Sequence, residues 1–406
     1  MNLLLDGIKN ESVSKTDQVV KLTVDGQTAN YPVYRVRLDN LYFNDQNDRI
    51  ATWISQYLSE NEDESLSKDN KEHYNSVIHD FIYKSNPDRL KQTQNNIKLL
   101  GQQKYGVVLK DGRIIDGNRR FTCLRNLSAE GEQYNYFETV ILDKDYEHSE
   151  KQIKMLELQI QIGSEERVDY DPIDRLVGLY RDIEEKQLLT ENEYARSTNQ
   201  KITTVKKDLE IAKLIVEFLD AIKSPGHYYL ARELQLDGPI RELYAALKNV
   251  VDEDKKQELK YIAFTNLLMR PDEDMTRFIR NLKGISKSNY IDEFIGEEID
   301  IAEEVLDSLP EDGKVNSETI REIRCDADIK EQLKRTMDVV DAKVRVTETR
   351  NKPNQMVKNA IDSIKSIDLE ILKRLTEEQV GDLSTSLELL EEEMRKVKEA
   401  VECLKN

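Results

Sequence analysis

Cysteine is scarce in this chain of 406 residues. Cys123, Cys325 and Cys403 are far apart and odd in number, which excludes a disulfide scaffold and suits a reduced, cytoplasmic protein. Histidine is as rare: His73, His79, His148 and His227 are scattered, and the first two do not share a helix face cleanly, so no zinc site is expected. Long apolar runs are missing too. The opening MNLLLDGIKNES has too short an apolar stretch for a secretory signal, and nothing later could span a bilayer, so no membrane partner is expected. Nucleophile elbow, Walker loop and paired-cysteine motifs are absent. Positive charge is also in deficit. A net charge of −19 argues against nonspecific coating of nucleic acid, so any DNA contact must come from a local basic patch.

What the chain has in quantity is charge, 34% of residues, and periodic Leu, Ile, Glu and Lys in its second half, so helices should outnumber strands. The expected class is α+β: a small mixed α/β amino-terminal domain, a mostly helical centre, and a carboxy-terminal helical hairpin or coiled coil. The stretches Val19 to Gly26 and Tyr31 to Phe43 alternate as strands about an Asp25-Gly26 turn. IATWISQYLSE then carries Ile50, Trp53, Ile54, Tyr57 and Leu58 at helical spacing, and the acidic run Asn61 to Asn70 reads as a solvated loop. Two helices follow, the second stopped by Gly101, and then short strands in YGVVL, GRIID and YFETVIL. Asp171-Pro172 opens a further helix. These signals divide the chain at 1–150, 151–224, 225–346 and 347–406.

One stretch concentrates the chemistry. IIDGNRRFTCLRNL runs from an apolar strand through Asp116-Gly117-Asn118 into Arg119 and Arg120 at the start of a helix. Gly117 permits a sharp bend, the helix start offers free backbone N–H groups, and guanidinium forks pair with phosphate oxygens. A turn followed by two surface arginines is equally the look of an ordinary capped helix.

The stretch resembles the phosphate-binding box of the ParB and sulfiredoxin-like fold, where a strand, Gly-Glu-Arg-Arg and a helix follow one another. FNDQNDR, with Asn44 and Arg49, is similar to that family's first box, although Asp45 stands in place of Pro. NIKLLGQQKYGVVL looks like the helix, glycine and strand before the phosphate box, and RVDYDPID like the element leading into a helix-turn-helix. Together they cover roughly Val19 to Ala221. The resemblance implies a nucleotide-binding domain, its nucleoside triphosphate CTP or ATP with Mg²⁺ as an accompanying ion, joined to a DNA-binding helical module. Asp116, Gly117, Asn118, Arg119 and Arg120 would hold the phosphates, and Asn44 and Arg49 would close over the nucleotide. Asn118 replaces the partition family's Glu and the sulfiredoxins' reactive Cys, and Thr122 replaces a third arginine. The Glu-Asn pair that holds Mg²⁺ in the family has no clean counterpart: the count back from Pro172 falls on Gly163 and Ser164, while Glu157 lies nearby out of register. Asp169, Tyr170 and Asp171 are an acidic cluster that helix capping explains.

NEYARSTNQKITTVKKDLEIAKLIVEFLDAI reads as two helices about a polar turn, with Ala195 small enough for the contact, Asn199 suited to a left-handed turn and Val205 returning to the core. Arg196, Lys201, Lys206 and Lys207 place positive charge beside Thr203 and Thr204, as DNA recognition would need, with Asp208 and Glu210 diluting it. Val380, Leu383, Leu387, Leu390, Met394, Val397, Val401 and Leu404 follow a three-four alternation suited to a homodimer or to an internal partner helix. The leading expectation is a ParB-like protein whose nucleotide controls DNA or partner engagement. A nucleotide-dependent nuclease or NTPase of a restriction or phage-defence system, and a non-catalytic structural adaptor, are the alternatives.

Overall fold

Apolar alternation builds both faces of a five-stranded sheet near the amino terminus, and two layers of helices cover it. The computed structural model describes residues 2–24, 26–61, 66–143, 149–163, 171–310 and 315–404, the stretch 161–163 as backbone only. Strands β1 (Val13–Val24), β2 (Gln27–Arg37), β3 (Gly106–Leu109), β4 (Ile114–Asp116) and β5 (Tyr136–Leu142) lie in the order β1-β2-β5-β3-β4. Only β3 and β5 run parallel; the other pairs are antiparallel. Because successive strand residues face opposite sides, Val108, Ile114, Phe137 and Ile141 enter one core while Val107, Ile115, Val140 and Leu142 enter another. Helices α1 (Ala51–Glu60), α2 (Lys71–Ser85), α3 (Pro87–Leu100) and α4 (Asn118–Leu127) contribute to the first core, and α5 (Glu150–Gly163) covers the second through Ile153, Leu156 and Ile160.

Two strand boundaries differ from the sequence reading. β1 starts at Val13, six residues before Val19, because Val13 is buried and pairs with Val36 across an irregularity between Lys15 and Val19. β2 stops at Arg37: Leu38–Asn40 forms a tight turn closed by Leu41 N–H on the Leu38 carbonyl at 3.1 Å. Leu41 and Phe43 then leave the sheet for the core. Gly26 and Gly101 take positive φ where turns were expected, whereas Asp25, and residues 62–65 of the acidic loop, lie outside the described residues.

Helices dominate the rest: α6 (Pro172–Tyr180), α7 (Glu191–Ser197), α8 (Ile202–Ala221), α9 (Tyr228–Glu233), α10 (Asp237–Leu247), α11 (Glu253–Met269), α12 (Met275–Ile285), α13 (Ile291–Asp307) and α14 (Ser317–Ile323). Asp171 caps α6 by accepting from Ile173 N–H at 2.8 Å, with Pro172 in the first turn, as the Asp-Pro pair implies. Leu158, Leu179, Leu189, Tyr194, Ala195, Val205 and Leu209 form one cluster that joins α5 through α8, so the helical centre is continuous with the back of the sheet. The chain divides into two compact units, 1–341 and 342–406, and α15 (Ala327–Lys365) contributes to both. The second unit adds α16 (Leu369–Leu372) and α17 (Glu377–Cys403). On α17, Val380, Leu387, Met394, Val397 and Val401 are exposed. No helix among the described residues is long and apolar enough to cross a membrane.

One carboxyl group in the helical centre stands out. Glu298 on α13 is fully buried and accepts from Asn266 Nδ2 of α11 at 2.9 Å, while its other oxygen has no hydrogen-bond partner. Burial pushes Glu298 up to about 8 against the opposing effect of the Asn266 hydrogen bond. Folded Glu298 thus holds its proton more tightly than unfolded Glu298. The stability this contributes is complete below about pH 4.5 and is lost as the pH rises through about 8. The slope is at most about 1.4 kcal/mol per pH unit. Glu298→Gln keeps an acceptor for Asn266 without a titrating proton, so urea melts of the variant should lose less stability than wild type between pH 5 and pH 8. Parallel pH profiles for the two proteins would contradict this assignment.

Candidate phosphate-binding site

The β4–α4 junction follows from its glycine. Gly117 adopts a left-handed φ of +106°, and a Cβ there would lie 2.7 Å from the Phe137 ring and 3.4 Å from the Arg120 guanidinium. A larger residue would be strained and would clash, so the bend that launches α4 depends on glycine. No side chain caps the first turn of α4, and that turn holds no acidic residue. Its N–H groups and the positive helix end favour an anion. Asn118, nearly buried, leaves its Oδ1 without a hydrogen-bond partner.

Arg119 and Arg120 do not act as a pair. Successive helix residues point about 100° apart, and here the two guanidinium groups go to different places. Arg120 donates to the Lys104 and Tyr105 carbonyls at 2.6 and 2.7 Å and to Asp116 at 2.8 Å. It ties the start of α4 to the start of β3, and Asp116 is committed to it. Arg119 makes no hydrogen bond or ion pair among the described residues. Its neighbours are other cations: burial lowers its pKa to about 10, and the charges of Arg49, Arg89 and Arg120 push the same way. A half-buried guanidinium near other arginines at a helix start has the charge and the donors to hold an anion.

Arg49 enters from the loop before α1. Asn47 shapes that loop by accepting from Arg49 N–H at 3.1 Å. Asn44, fully buried, accepts from Gln46 N–H at 3.3 Å and donates to Glu157 at 3.4 Å. The structure therefore brings Arg49 to Arg119, whereas Asn44 belongs to a second, internal cluster. At its centre is Lys154, whose Nζ donates to the Gln46 carbonyl at 3.2 Å and contacts Asp48, with Asp182 at 3.2 Å and Glu157 at 4.0 Å. Burial disfavours the ammonium, but Asp48, Asp182 and Glu157 outweigh it and raise the Lys154 pKa. Burial raises Glu157 and Asp182 against the pull of Lys154.

Two contributors, Arg89 and Lys154, were not foreseen from sequence, and Glu157 was read there only as out of register with the family's metal pair. Arg89 arrives only because α3 packs on α4, and no local pattern marks it. Lys154 and Glu157 left a weak trace: they lie three apart beside Ile153, Leu156 and Ile160 on the stripe of α5 that turns inward. Of the Arg167 to Asp174 element, only Asp171 onward is described; Arg167, Asp169 and Tyr170 lie outside the described residues, as do Ser164 and His148.

The basic helix pair is assembled as its sequence suggests. Asn199 takes φ +48° between α7 and α8, Ala195 and Val205 are buried, and Arg196, Lys201, Thr203, Thr204, Lys206 and Lys207 are all exposed. Asp208 does not dilute that face. It turns inward between Arg175 at 2.9 Å and Arg241 at 3.4 Å, because its position on α8 meets α6 and α10. Lys206 pairs with Glu191 at 3.5 Å.

Contacts link the loop and α1 to α6 and α9. A Cβ on Gly178 of α6 would lie 2.5 Å from the Asp48 carboxyl carbon, so only glycine lets α6 come this close to the loop. Thr52 donates through both N–H and Oγ1 to Asp174 of α6, at 3.1 and 2.6 Å, and Arg232 of α9 covers the Trp53 ring at 3.7 Å. No family model matches this chain and no curated protein matches it.

The two arginines should differ in variants. Arg120→Ala removes three donated hydrogen bonds and should cost about 2 kcal/mol. Arg119→Ala removes a repelled cation and should leave stability unchanged or raised. Urea melts at neutral pH would show this order, and a larger loss for Arg119→Ala would refute the assignment of roles.

Proposed function

We propose that this chain is a ParB-like, nucleotide-responsive, DNA-associated protein. A nucleoside triphosphate, CTP or ATP, places its phosphates at the first turn of α4, against Arg119, Arg49 and Arg89. The observation that carries the reading is Arg119: a half-buried guanidinium with no anionic partner among the described residues, set among three other arginines. Keeping such a group costs stability, and an anionic ligand would offset that cost. Gly117 and Asn118 give the ligand access to backbone donors, and Asp116 and Arg120 hold the bend in place.

Ligand binding acts on DNA through the loop. Arg49 faces the ligand, and the adjacent Asp48 meets α6, which packs on α8. On α8 and its preceding turn, Arg196, Lys201, Lys206 and Lys207 face DNA phosphates while Thr203 and Thr204 reach base edges. The exposed stripe of α17 pairs two copies of the chain, as its heptad spacing suits. The nuclease or NTPase reading would draw on Asp116, which Arg120 already engages, so the binding reading takes precedence.

Equilibrium binding of labelled CTP, ATP and GTP tests the site. At least one should bind saturably, and Arg119→Ala should weaken it tenfold or more; a wild-type protein that takes up none would end this reading. On the DNA side, Lys206→Glu with Lys207→Glu should weaken retention of a bound duplex and flatten its salt dependence by one to two phosphate contacts, about 0.9 in slope for each. Unchanged slopes would place the contact elsewhere.

A further inference from the structure

A polyphosphate commonly comes to a protein with Mg²⁺, which needs near-octahedral oxygen ligands at about 2.0–2.1 Å. Of the acidic groups near the arginine site, Asp116 is engaged by Arg120, and the arrangement of Asp48, Glu157 and Asp182 does not fit that ion. Lys154 Nζ stands among them, 1% exposed, in contact with Asp48 and 3.2 Å from both Asp182 and the Gln46 carbonyl oxygen. An ammonium has three N–H donors; here two go to Asp48 and to the Gln46 carbonyl oxygen, and Asp182 balances the charge as an ion pair. Glu157, at 4.0 Å, is held by Asn44 Nδ2 instead. Among the described residues no group of three or more His, Cys, Asp or Glu is placed to hold a metal ion.

We infer that the Lys154 ammonium fills the place a divalent cation would take beside the phosphate site, so that the site accepts its polyphosphate as a metal-free anion. This rests on the anion reading of the arginine cluster. A second, doubly charged cation inside the same oxygen cage would meet Lys154 directly and Arg49 close by, both of which act electrostatically on Glu157. The charge that Mg²⁺ would bring to the phosphates is supplied from outside the cage by Arg49, Arg89 and Arg119. Neighbouring residues divide the work: Asp48 turns to the internal cation and Arg49 to the ligand.

Two measurements on the intact chain test this. Calorimetric titration with inorganic triphosphate in EDTA should give binding at least as tight as in excess Mg²⁺. Binding that appears only with Mg²⁺, or is tenfold tighter with it, would overturn the inference. Mn²⁺ titration followed by electron paramagnetic resonance, without triphosphate, should show no saturable site in wild type, and Lys154→Met should gain one. A saturable wild-type site, or a folded Lys154→Met chain with none, would overturn it. Should Lys154→Met fail to fold, the wild-type arms decide alone. Triphosphate that binds in neither buffer would end the anion reading itself, and the Mn²⁺ arm would still decide the place of Lys154.

Discussion

An ammonium group buried to 1% exposure is stable only if its surroundings return most of the hydration it gives up, and around Lys154 that task falls to Asp48, Asp182, Glu157 and a backbone carbonyl. These partners come from separate parts of the chain: the loop before α1, α5 itself, and the turn after α6. Removing Lys154 would leave its buried carboxyl partners without a cation, which costs about 3–5 kcal/mol. The cluster therefore fixes the 44–49 loop against the back of the sheet and against the helical centre together. Arg49 is carried on this anchored loop, and it is one of three arginines whose charge acts on Arg119.

In the proposed function the same loop is where ligand and DNA contacts meet. On one side Arg49 adds to the field at the start of α4; on the other Asp48 lies against Gly178, and Thr52 is bound to Asp174. A ligand shifts a conformational equilibrium only by its differential affinity for the two states. In the proposed function that difference arises at Arg49, since a phosphate bound there relieves the repulsion among the arginines and changes what holds the loop. Contact from α6 to α8 gives the change a packed route to the exposed basic face.

How much of this the sequence carried depends on the range of the interaction. The β4–α4 bend was legible because a local glycine demands it, and the α7–α8 turn because Asn199, Ala195 and Val205 each have a local reason to be where they are. The strands around Val13 and Leu38 were less so, since partner pairing at Val36 and core burial of Leu41 and Phe43 decided their ends. Arg89 and the inward turn of Asp208 were invisible, because both depend on which helix packs where. Arg119 and Arg120 looked equivalent in sequence and are not: one is spent on backbone carbonyls, and helix geometry points the other at cations. The α17 stripe was legible as a helix face, and periodicity names no partner for it.

The most direct measurement is a crystal structure of the chain soaked in tungstate, whose anomalous signal locates a bound oxyanion without interpretation. A peak is expected within hydrogen-bonding reach of the Arg119 guanidinium and the first N–H groups of α4, lost in Arg119→Ala crystals. Tungstate bound only at the lysines of α8, with the Arg119 position empty at saturating concentration, would contradict it.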